Sequence, residues 1–444
     1  MSFRIVNLEY KKKKIQLCDK YTSENSNIFT LITGKNGVGK TQLLTHIIKY
    51  YIDQFDQQKN LITVKDKFNS NIPEKLIVHT NSKFDRFPSM YKMPKQYKNL
   101  TASNYYSVNN EIFTSLLNNK NLNKRAIYDT LAYLEYNPII EYSAILKTSS
   151  SGKGYLNETF TFYKDELIKI GFNPNIIPQK QPKTNKNLLS VLNRINENNV
   201  KLDLNDIPLI YNLLKNKKIF DHELNFIFDF LEEKVDYGEL DKNEYQLLHK
   251  YNLIYFRDIY FYKDGEDSLR IDFQFLSSGQ QAILNILIGV SSVISNRSLI
   301  CIDEPEISLH PEWQEEIIEK LQNAFKDIYG CHFLIATHSP QVVSGLKSDN
   351  GYILDLENNI LHKSIDYSKK SADYQLAKLF NAPGYNNEYI IKICLFLLSK
   401  IRDKANFDNN DLSNISELKG FQLSLKNDDP VYYLVKEVIS LAEV

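Results

Sequence analysis

The sequence predicts an α/β fold: a mixed, largely parallel sheet with helices on both faces, interrupted by an inserted helical subdomain. Strands that are covered on both faces read as continuous apolar runs, and the chain has four of them, Ile28–Thr33, Leu76–Thr80, Leu299–Ile302 and Phe333–Thr337. Helical spacing of apolar residues recurs between these runs, and residues 101–250 carry mainly short helical patterns. This order indicates one α/β core that is divided by an insertion.

The composition is that of an ordinary soluble globular protein. The chain has 444 residues, enough for two or three domains, of which 43% are hydrophobic and 24% are charged. Basic and acidic residues both number 54, so no net charge draws the whole protein toward nucleic acid or anionic lipid. The four cysteines are widely separated, and the N-terminal segment lacks an apolar signal sequence. We therefore expect a cytoplasmic protein with no membrane partner, disulfide framework or zinc site.

The N-terminal part is predicted to run from strand to glycine-rich turn to helix. Phe3–Tyr10 alternates as a strand does, and Lys11–Lys14 is typical of a charged turn. After the apolar run ending at Thr33 comes a turn with three glycines, and the apolar residues of Gln42–Ile52 then have helical spacing.

Within the insertion, the sequence predicts mostly helices. Asn187–Asn198 and His222–Glu233 are predicted as amphipathic helices, whereas Glu141–Lys147 and Tyr155–Tyr163 are predicted as a β pair. No heptad pattern continues for the three or four repeats that a coiled coil needs, so long arms are not expected.

The second half returns to strands and helices. Leu253–Tyr262 and Leu269–Phe275 flank Asp264-Gly265, which is a hairpin signal because the tight turn needs positive φ. Helices are predicted from Ser278 and over Pro311–Phe325. The predicted domains are the N-terminal half of the core at 1–100, a mainly helical insertion at 101–250, the C-terminal half of the core at 251–365 and a helical tail at 366–444.

The glycine-rich turn matches a phosphate-binding motif. Residues 34–41 satisfy GxxxxGK[ST] between a strand and a helix. Backbone N–H groups in such a turn surround phosphate oxygens, Lys40 supplies a cation to the β and γ phosphates, and the Thr41 hydroxyl is a ligand for Mg²⁺. The predicted nucleotide-binding residues are Gly34, Asn36, Gly37, Val38, Gly39, Lys40 and Thr41.

A second motif ends the apolar strand Leu299–Ile302 with two adjacent acids. Asp303 is placed to hold Mg²⁺ through water, and Glu304 can polarise the water that attacks the γ phosphate. Together the two motifs predict a P-loop ATPase that uses ATP and Mg²⁺ and has Glu304 as a catalytic residue.

A third motif identifies the kind of P-loop ATPase. The segment Leu276-Ser277-Ser278-Gly279-Gln280 differs by one small residue from LSGGQ, and the chain resembles the ATP-binding-cassette (ABC) ATPases that carry this signature. The resemblance implies an ABC-type P-loop fold and a homodimer or higher homo-oligomer. It also implies that the signature helix caps the γ phosphate bound by the other chain, where a helix N-terminus favours an anion.

The same resemblance assigns further positions. Ser308 and His310 match the dimer-contact loop, and His338, after the strand Phe333–Thr337, matches the switch histidine at the γ phosphate. The family's glutamine after its second major strand has no clear counterpart. Asn81 and Ser82 stand at that place as candidate ligands of Mg²⁺ or of its water.

The subfamily is indicated by weaker features. Lys40 and Ser278 are separated by 238 positions, more than in transport ATPases. The segment Asp303 to Pro311 resembles the DEPExxLHP form of ATPases related to RecF and to the overcoming-lysogenization-defect nucleases. The whole chain looks most like the ATPase subunits of two-gene bacterial anti-phage systems such as Septu, PARIS and certain retrons.

That resemblance implies a regulatory or sensor ATPase whose ATP-driven dimerisation controls a partner. The residues after His338 are too few for a nuclease domain with connecting helices, so the nuclease-like effector is expected to be a separate protein. The alternative is a RecF/SMC-like ATPase that binds DNA in repair or maintenance. Lys11–Lys14 and the loop with Lys180, Lys183 and Lys186 are candidate contacts to DNA phosphates.

Overall fold

A computed structural model describes most of the chain. The described residues are 2–19, 26–59, 72–82, 86–90, 93–101, 105–118, 122–148, 153–177, 182–216, 219, 222–265, 269–368, 370–403 and 405–442. Lys180, one of the candidate DNA contacts, lies outside them.

The described residues form strands and helices in the following order along the chain. The strands are β1 (Asn7–Tyr10), β2 (Lys13–Gln16), β3 (Ile28–Thr33), β4 (Leu76–Thr80), β5 (Tyr97–Asn99), β6 (Tyr136–Leu146), β7 (Leu224–Asp229), β8 (Lys234–Asp236), β9 (Ile254–Lys263), β10 (Arg270–Asp272), β11 (Leu299–Asp303), β12 (His332–Ala336), β13 (Gly351–Asp355) and β14 (Ile360–Lys363). The helices are α1 (Lys40–Lys59), α2 (Tyr105–Asn118), α3 (Lys124–Tyr133), α4 (Lys153–Phe162), α5 (Lys164–Lys169), α6 (Lys183–Glu197), α7 (Asp206–Asn216), α8 (Lys242–Lys250), α9 (Ser278–Val293), α10 (Pro311–Ala324), α11 (Pro340–Ser344), α12 (Ala372–Lys378), α13 (Glu388–Arg402), α14 (Asn409–Gln422) and α15 (Pro430–Ala442).

The chain divides into two compact units. Unit 1 comprises Met1–Tyr105 and Ser278–Val444, and unit 2 comprises Tyr106–Ser277. The predicted domain limits stay predictions; β9 and β10, which fall in the predicted segment 251–365, belong to unit 2. None of the described helices is long and apolar enough to cross a bilayer.

Unit 1 is built on a seven-stranded sheet with the order β14-β13-β3-β12-β11-β4-β5. Neighbouring strands from β13 to β5 are parallel, and only β14 pairs in the antiparallel sense. Every residue of β3, β4, β11, β12 and β13 is buried, as expected of parallel strands covered on both faces. The predicted α/β fold with a largely parallel sheet is confirmed.

The strand order of this sheet positions the site. β12 lies between β3 and β11, with Ala336 opposite both Ile32 and Asp303 in the parallel register. The carboxyl ends of parallel strands meet at one edge of a sheet, which is where ligands bind in such folds. The segments that follow β3, β11 and β12 therefore converge, although they are far apart in sequence.

Unit 2 contains an antiparallel sheet that the sequence did not reveal in full. Its order is β10-β9-β6-β7-β8. The predicted hairpin around Asp264-Gly265 is confirmed, because β9 and β10 pair antiparallel. The predicted helix over His222–Glu233 is wrong: this segment contains β7, whose alternate residues are buried and which pairs with β6. The predicted strand Tyr155–Tyr163 is also wrong, because it falls mostly on α4.

The last part of unit 1 is a helical cluster. Helices α13, α14 and α15 share a core of buried apolar residues that includes Cys394, Leu397, Leu418 and Val435. The predicted helical character of the tail agrees with these elements.

Candidate active site

The glycine-rich turn links the end of β3 to the start of α1. Gly34 has a φ of +137°, and an added Cβ there would lie 3.1 Å from Cγ1 of Val38. Gly39 has a φ of +105°. Both backbone angles are ones that side-chain-bearing residues rarely adopt, so the turn depends on glycine. A turn of this kind before a helix offers consecutive backbone N–H groups to a phosphate.

Lys40 is buried at the first position of α1. Its Nζ donates a hydrogen bond to the carbonyl oxygen of Gly34 at 2.7 Å and lies 3.0 Å from Nδ1 of His338. Burial lowers the pKa of Lys40 to about 8, an effect opposed by nearby carboxylates, Glu304 foremost. The side chain is therefore mostly an ammonium at pH 7 and can donate to both acceptors.

Thr41 and Asp303 form the candidate Mg²⁺ site. The Thr41 hydroxyl donates to Oδ2 of Asp303 at 2.8 Å. The other oxygen, Oδ1, is buried and has no hydrogen-bond partner among the described residues. Burial raises the pKa of Asp303 to about 6, which the Thr41 hydrogen bond opposes. Mg²⁺ prefers oxygen ligands, and a cation or its water would satisfy the orphaned oxygen, so these residues fit the ion.

Glu304 and His338 face each other across neighbouring strand ends. Nε2 of His338 lies 3.5 Å from Oε1 of Glu304. Burial, assisted by the charge of Lys40, lowers the pKa of His338 to about 4, so its ring is neutral at pH 7. Because Nδ1 accepts from the Lys40 ammonium, Nε2 carries the ring proton and points it toward Glu304. The φ of Glu304 is +51°, a strained value of the kind that clusters at functional sites.

Sequence reasoning missed Glu306. Its Oε1 accepts a hydrogen bond from the backbone N–H of His338 at 2.6 Å, and its Oε2 is buried without a hydrogen-bond partner among the described residues. Burial raises the pKa of this carboxyl group. Glu306 therefore fixes the backbone at His338. The signal available in the sequence was an acid three residues beyond Asp303, which by itself is typical of a solvated turn.

Lys40, Thr41, Asp303, Glu304 and His338 line one cavity of about 400 Å³ in unit 1. Its lining residues are Asn36, Gly37, Gly39, Lys40, Thr41, Gln42, Ser82, Arg86, Asp303, Glu304 and His338. Of the two candidates after β4, Ser82 lines the cavity, whereas the Asn81 amide donates to the carbonyl oxygen of Pro305 at 3.2 Å. Arg86 is a further cation that the sequence prediction did not include.

The signature residues do not line this cavity. Ser277 and Ser278 are exposed at the start of α9, and Gln280 is partly buried. Gly279 is buried, and an added Cβ would lie 2.9 Å from the Trp313 ring. Close packing within this chain therefore requires glycine here, while the two serines before it stay accessible.

The predicted dimer-contact loop is also at the surface. Ser308 is exposed, with a φ of +69°. The His310 side chain is 68% exposed, and its Nδ1 lies 3.8 Å from Oε2 of Glu312. The assignment of both residues to a dimer contact remains a prediction.

Comparisons with known proteins find relatives that are named as ATPases or as components of Septu and retron systems. A protein from Vibrio cholerae named "Retron Vc95 probable ATPase" is 24% identical over 485 residues, covering 94% of this chain and 87% of the relative. "Retron Ec83 probable ATPase" from Escherichia coli is 32% identical over 90 residues, covering 18% of this chain and 16% of the relative. "Septu protein PtuA" from Bacillus mycoides is 31% identical over 123 residues, covering 26% and 15%.

Solved structures and a family model were also compared. A metal-chelate type ABC transporter in an inward-facing conformation matches with a TM-score of 0.30 and 12% identity, covering 86% of this chain and 90% of that chain. An Smc head domain from Pyrococcus furiosus matches with a TM-score of 0.27 and 12% identity, covering 81% and 94%. The model of the family described as "AAA domain, putative AbiEii toxin, Type IV TA system" matches residues 105–344, more than half of the sequence. The chain belongs to this family of AAA-domain proteins.

Proposed function

We propose that the protein is an ATP-hydrolysing regulatory or sensor subunit of a bacterial anti-phage defence module. In this proposal ATP-driven dimerisation controls a separately encoded, nuclease-like effector. The ATPase activity is supported by the convergence of Lys40, Asp303, Glu304 and His338 on one cavity. The defence role is supported by the relatives named as retron and Septu proteins.

The proposed chemistry assigns one task to each side chain. Lys40 would leave its present acceptors to bind the β and γ phosphates of ATP, and Thr41 and Asp303 would hold Mg²⁺, which would supply charge neutralisation on the phosphates. Glu304 orients and polarises the attacking water. His338, hydrogen-bonded through Nδ1 to Lys40 in this arrangement, is free to turn its ring toward the γ phosphate once Lys40 moves.

The position of the signature supports the proposed dimer. Ser277 and Ser278 are exposed and lie outside the cavity that holds Lys40. A second copy of the chain could present them to the γ phosphate, where N–H groups at a helix start favour an anion. In this proposal one chain alone does not complete a site.

Dimerisation is tested by light scattering on the Glu304→Gln protein with and without ATP. We expect ATP to produce a dimer, and we expect the additional change Ser278→Arg to prevent it by placing bulk and charge against the opposite phosphate. Ser413→Arg, at an exposed serine of α14, is the matched control and should dimerise normally. ATP-induced dimerisation that survives Ser278→Arg would refute the composite site.

The defence role is tested by expressing tagged Glu304→Gln protein together with the genes that flank it. Proteins and nucleic acids that copurify are identified by mass spectrometry and sequencing. We expect a stoichiometric protein encoded by a neighbouring gene, retained with ATP and lost with Lys40→Ala. Recovery of DNA alone, lost at high salt, would instead favour the DNA-maintenance ATPase.

A further inference from the structure

Unit 2 contains a second cavity that the proposed ATPase chemistry does not use. Its volume is about 440 Å³, within the range of small-molecule sites. Four parts of unit 2 form it: α2, the residue that follows β6, the end of α8 with the turn after it, and the first residues of β9. The lining residues are Asn110, Phe113, Thr114, Lys147, His249, Asn252, Ile254 and Tyr255.

The charge of this lining is positive. Its basic side chains are Lys147 and His249, no lining residue is acidic, and burial lowers the pKa of His249 from its ordinary value. Lys147 is partly buried, and no carboxylate among the described residues pairs with it. Burial and the nearby charge of Arg194 lower its pKa. An ammonium in such surroundings is poorly compensated, so an anion would be favoured there.

The position of Lys147 is fixed by the fold. Its backbone N–H donates to the carbonyl oxygen of Leu253 at 2.6 Å, where β6 ends beside β9. Its Nζ lies 5.1 Å from the centroid of the Tyr255 ring, a cation–π distance. The ammonium is thus held over an aromatic face, without an anionic partner among the described residues.

The apolar part of the lining consists of Phe113, Ile254 and Tyr255. Phe113 is 1% exposed, and its ring centroid lies 5.1 Å from that of Phe226 and 5.2 Å from that of Tyr142. Because Phe113 is almost wholly covered, the partly exposed side chains of Tyr255 and Ile254 supply the apolar surface against which a planar ring can pack. Asn110, Thr114 and Asn252 add hydrogen-bonding groups.

We propose that this cavity binds a small organic anion with one phosphate and one planar base, of the class of nucleoside monophosphates, with Lys147 opposite the phosphate. The cavity would be a ligand site separate from the P-loop. This inference does not rest on the proposed function, because it concerns side chains of unit 2 alone.

The test uses the full chain carrying Lys40→Ala, which we expect to silence the P-loop for nucleotides. Binding of AMP, GMP, CMP and UMP is measured by calorimetry, with adenosine, ribose 5-phosphate and inorganic phosphate as partial ligands. We expect at least one monophosphate to bind, its affinity to fall at least tenfold with Lys147→Gln, and the affinity to be retained with Lys147→Arg, which keeps the charge. Lys242→Gln, at an exposed lysine of α8, is the matched control and should bind normally.

Each outcome bears on the proposal. Melting temperatures of all variants establish that loss of binding is not loss of folding. Absence of binding by all four monophosphates at millimolar concentration, or binding that Lys147→Gln leaves unchanged, overturns the site. Ribose 5-phosphate binding as tightly as the monophosphates overturns the assignment of a planar base.

Discussion

Nζ of Lys40 lies 3.0 Å from Nδ1 of His338, so the lysine at the start of α1 contacts a residue two positions after β12, although 298 positions separate the two in sequence. The same ammonium donates to the carbonyl oxygen of Gly34. Both contacts occupy N–H groups of the Lys40 ammonium, which a bound phosphate would need as hydrogen-bond donors. Nucleotide binding therefore has to exchange these contacts for phosphate oxygens, which links the position of His338 to the occupancy of the P-loop.

Replacing His338 should separate hydrolysis from binding. We expect His338→Ala to lower kcat for ATP hydrolysis about 100-fold, because the group facing Glu304 is lost, and to change the Kd for ATP only a few-fold. His222→Ala, at an exposed histidine of unit 2, is the control. Steady-state kinetics and calorimetry measure the two quantities; an unchanged kcat would remove His338 from the reaction.

Glu304→Gln should retain ATP and lose turnover. The amide keeps the shape of the side chain but cannot accept a proton from water, so we expect kcat to fall about 1000-fold. Glu388→Gln changes a carboxylate that is 75% exposed and should leave the rate as it is. If Glu304→Gln hydrolysed ATP at the wild-type rate, the role of Glu304 would be wrong.

The Thr41–Asp303 pair predicts a magnesium requirement that depends on the hydroxyl. We expect chelation of Mg²⁺ to stop ATP hydrolysis, and Thr41→Ala to raise the Mg²⁺ concentration for half-maximal rate about tenfold or more. Thr41→Ser keeps the hydroxyl and should stay near the wild type. Equal Mg²⁺ titrations for Thr41→Ala and Thr41→Ser would contradict the assignment of Thr41 as a ligand.

Gly279 and Gly420 offer a matched pair of substitutions. Gly279→Ala places a Cβ 2.9 Å from the Trp313 ring and 3.0 Å from the carbonyl oxygen of Ser308, so we expect a loss of about 1–3 kcal/mol in unfolding free energy. Gly420→Ala, exposed in α14 with no atom within 4 Å of the new Cβ, should gain up to about 1 kcal/mol. Denaturant unfolding measures both, and a neutral Gly279→Ala would show that α9 can shift away.

His332 predicts a loss of stability in acid. Its Nδ1 accepts from the backbone N–H of Ile5 at 3.1 Å, and its Nε2 lies 3.0 Å from Oγ1 of Thr30. A proton on Nδ1 would oppose the Ile5 N–H, and burial lowers the pKa of His332 to about 3. Because the unfolded chain takes up this proton below about pH 6.5 and the folded chain does not, stability is present above that pH and falls by about 1.4 kcal/mol per pH unit below it.

The measurement compares melting temperatures of the wild type and His332→Gln between pH 7.5 and pH 5. We expect the wild type to lose stability more steeply below pH 6.5. Other groups with shifted pKa values, such as Asp303, contribute equally to both proteins and cancel. Parallel curves for the two proteins would show that His332 titrates normally in the folded state.

The local pattern of apolar and polar residues was sufficient to predict the parallel core and the P-loop. It was insufficient to predict the elements of unit 2. The strands β3 and β11 are recognisable because burial on both faces leaves continuous apolar runs. Strand β7 was mistaken for a helix because its partner β6 lies about 80 residues earlier, and the pairing, not local propensity, decides its structure. In the reverse case, α4 contains Thr159, Phe160 and Phe162, residue types that favour strands, yet it packs on α6.

The active site shows the same limit. Lys40, Thr41, Asp303 and Glu304 follow from motifs whose chemistry is fixed by spacing. Glu306 does not, because its contact with the backbone of His338 depends on the register of β11 beside β12. The Glu306 carboxylate can position the backbone of His338 only because β11 and β12, which are distant in sequence, pair with each other.

The strands of the seven-stranded sheet come from two parts of the chain, one before unit 2 and one after it. This separation affects the order in which the sheet can form during synthesis. Leu76 of β4 pairs with Leu299 of β11, and all of unit 2 is translated between them. At about 5–20 residues per second, the ribosome needs roughly 10–40 s to cover that interval. During this time β3 and β4 are present without β11 and β12, the strands that separate them in the finished sheet, and unit 2 is completed before either of those strands. A nascent chain therefore brings Asp303 and His338 beside Lys40 late, and a ribosome that stops within unit 2 releases a chain without β11 and β12.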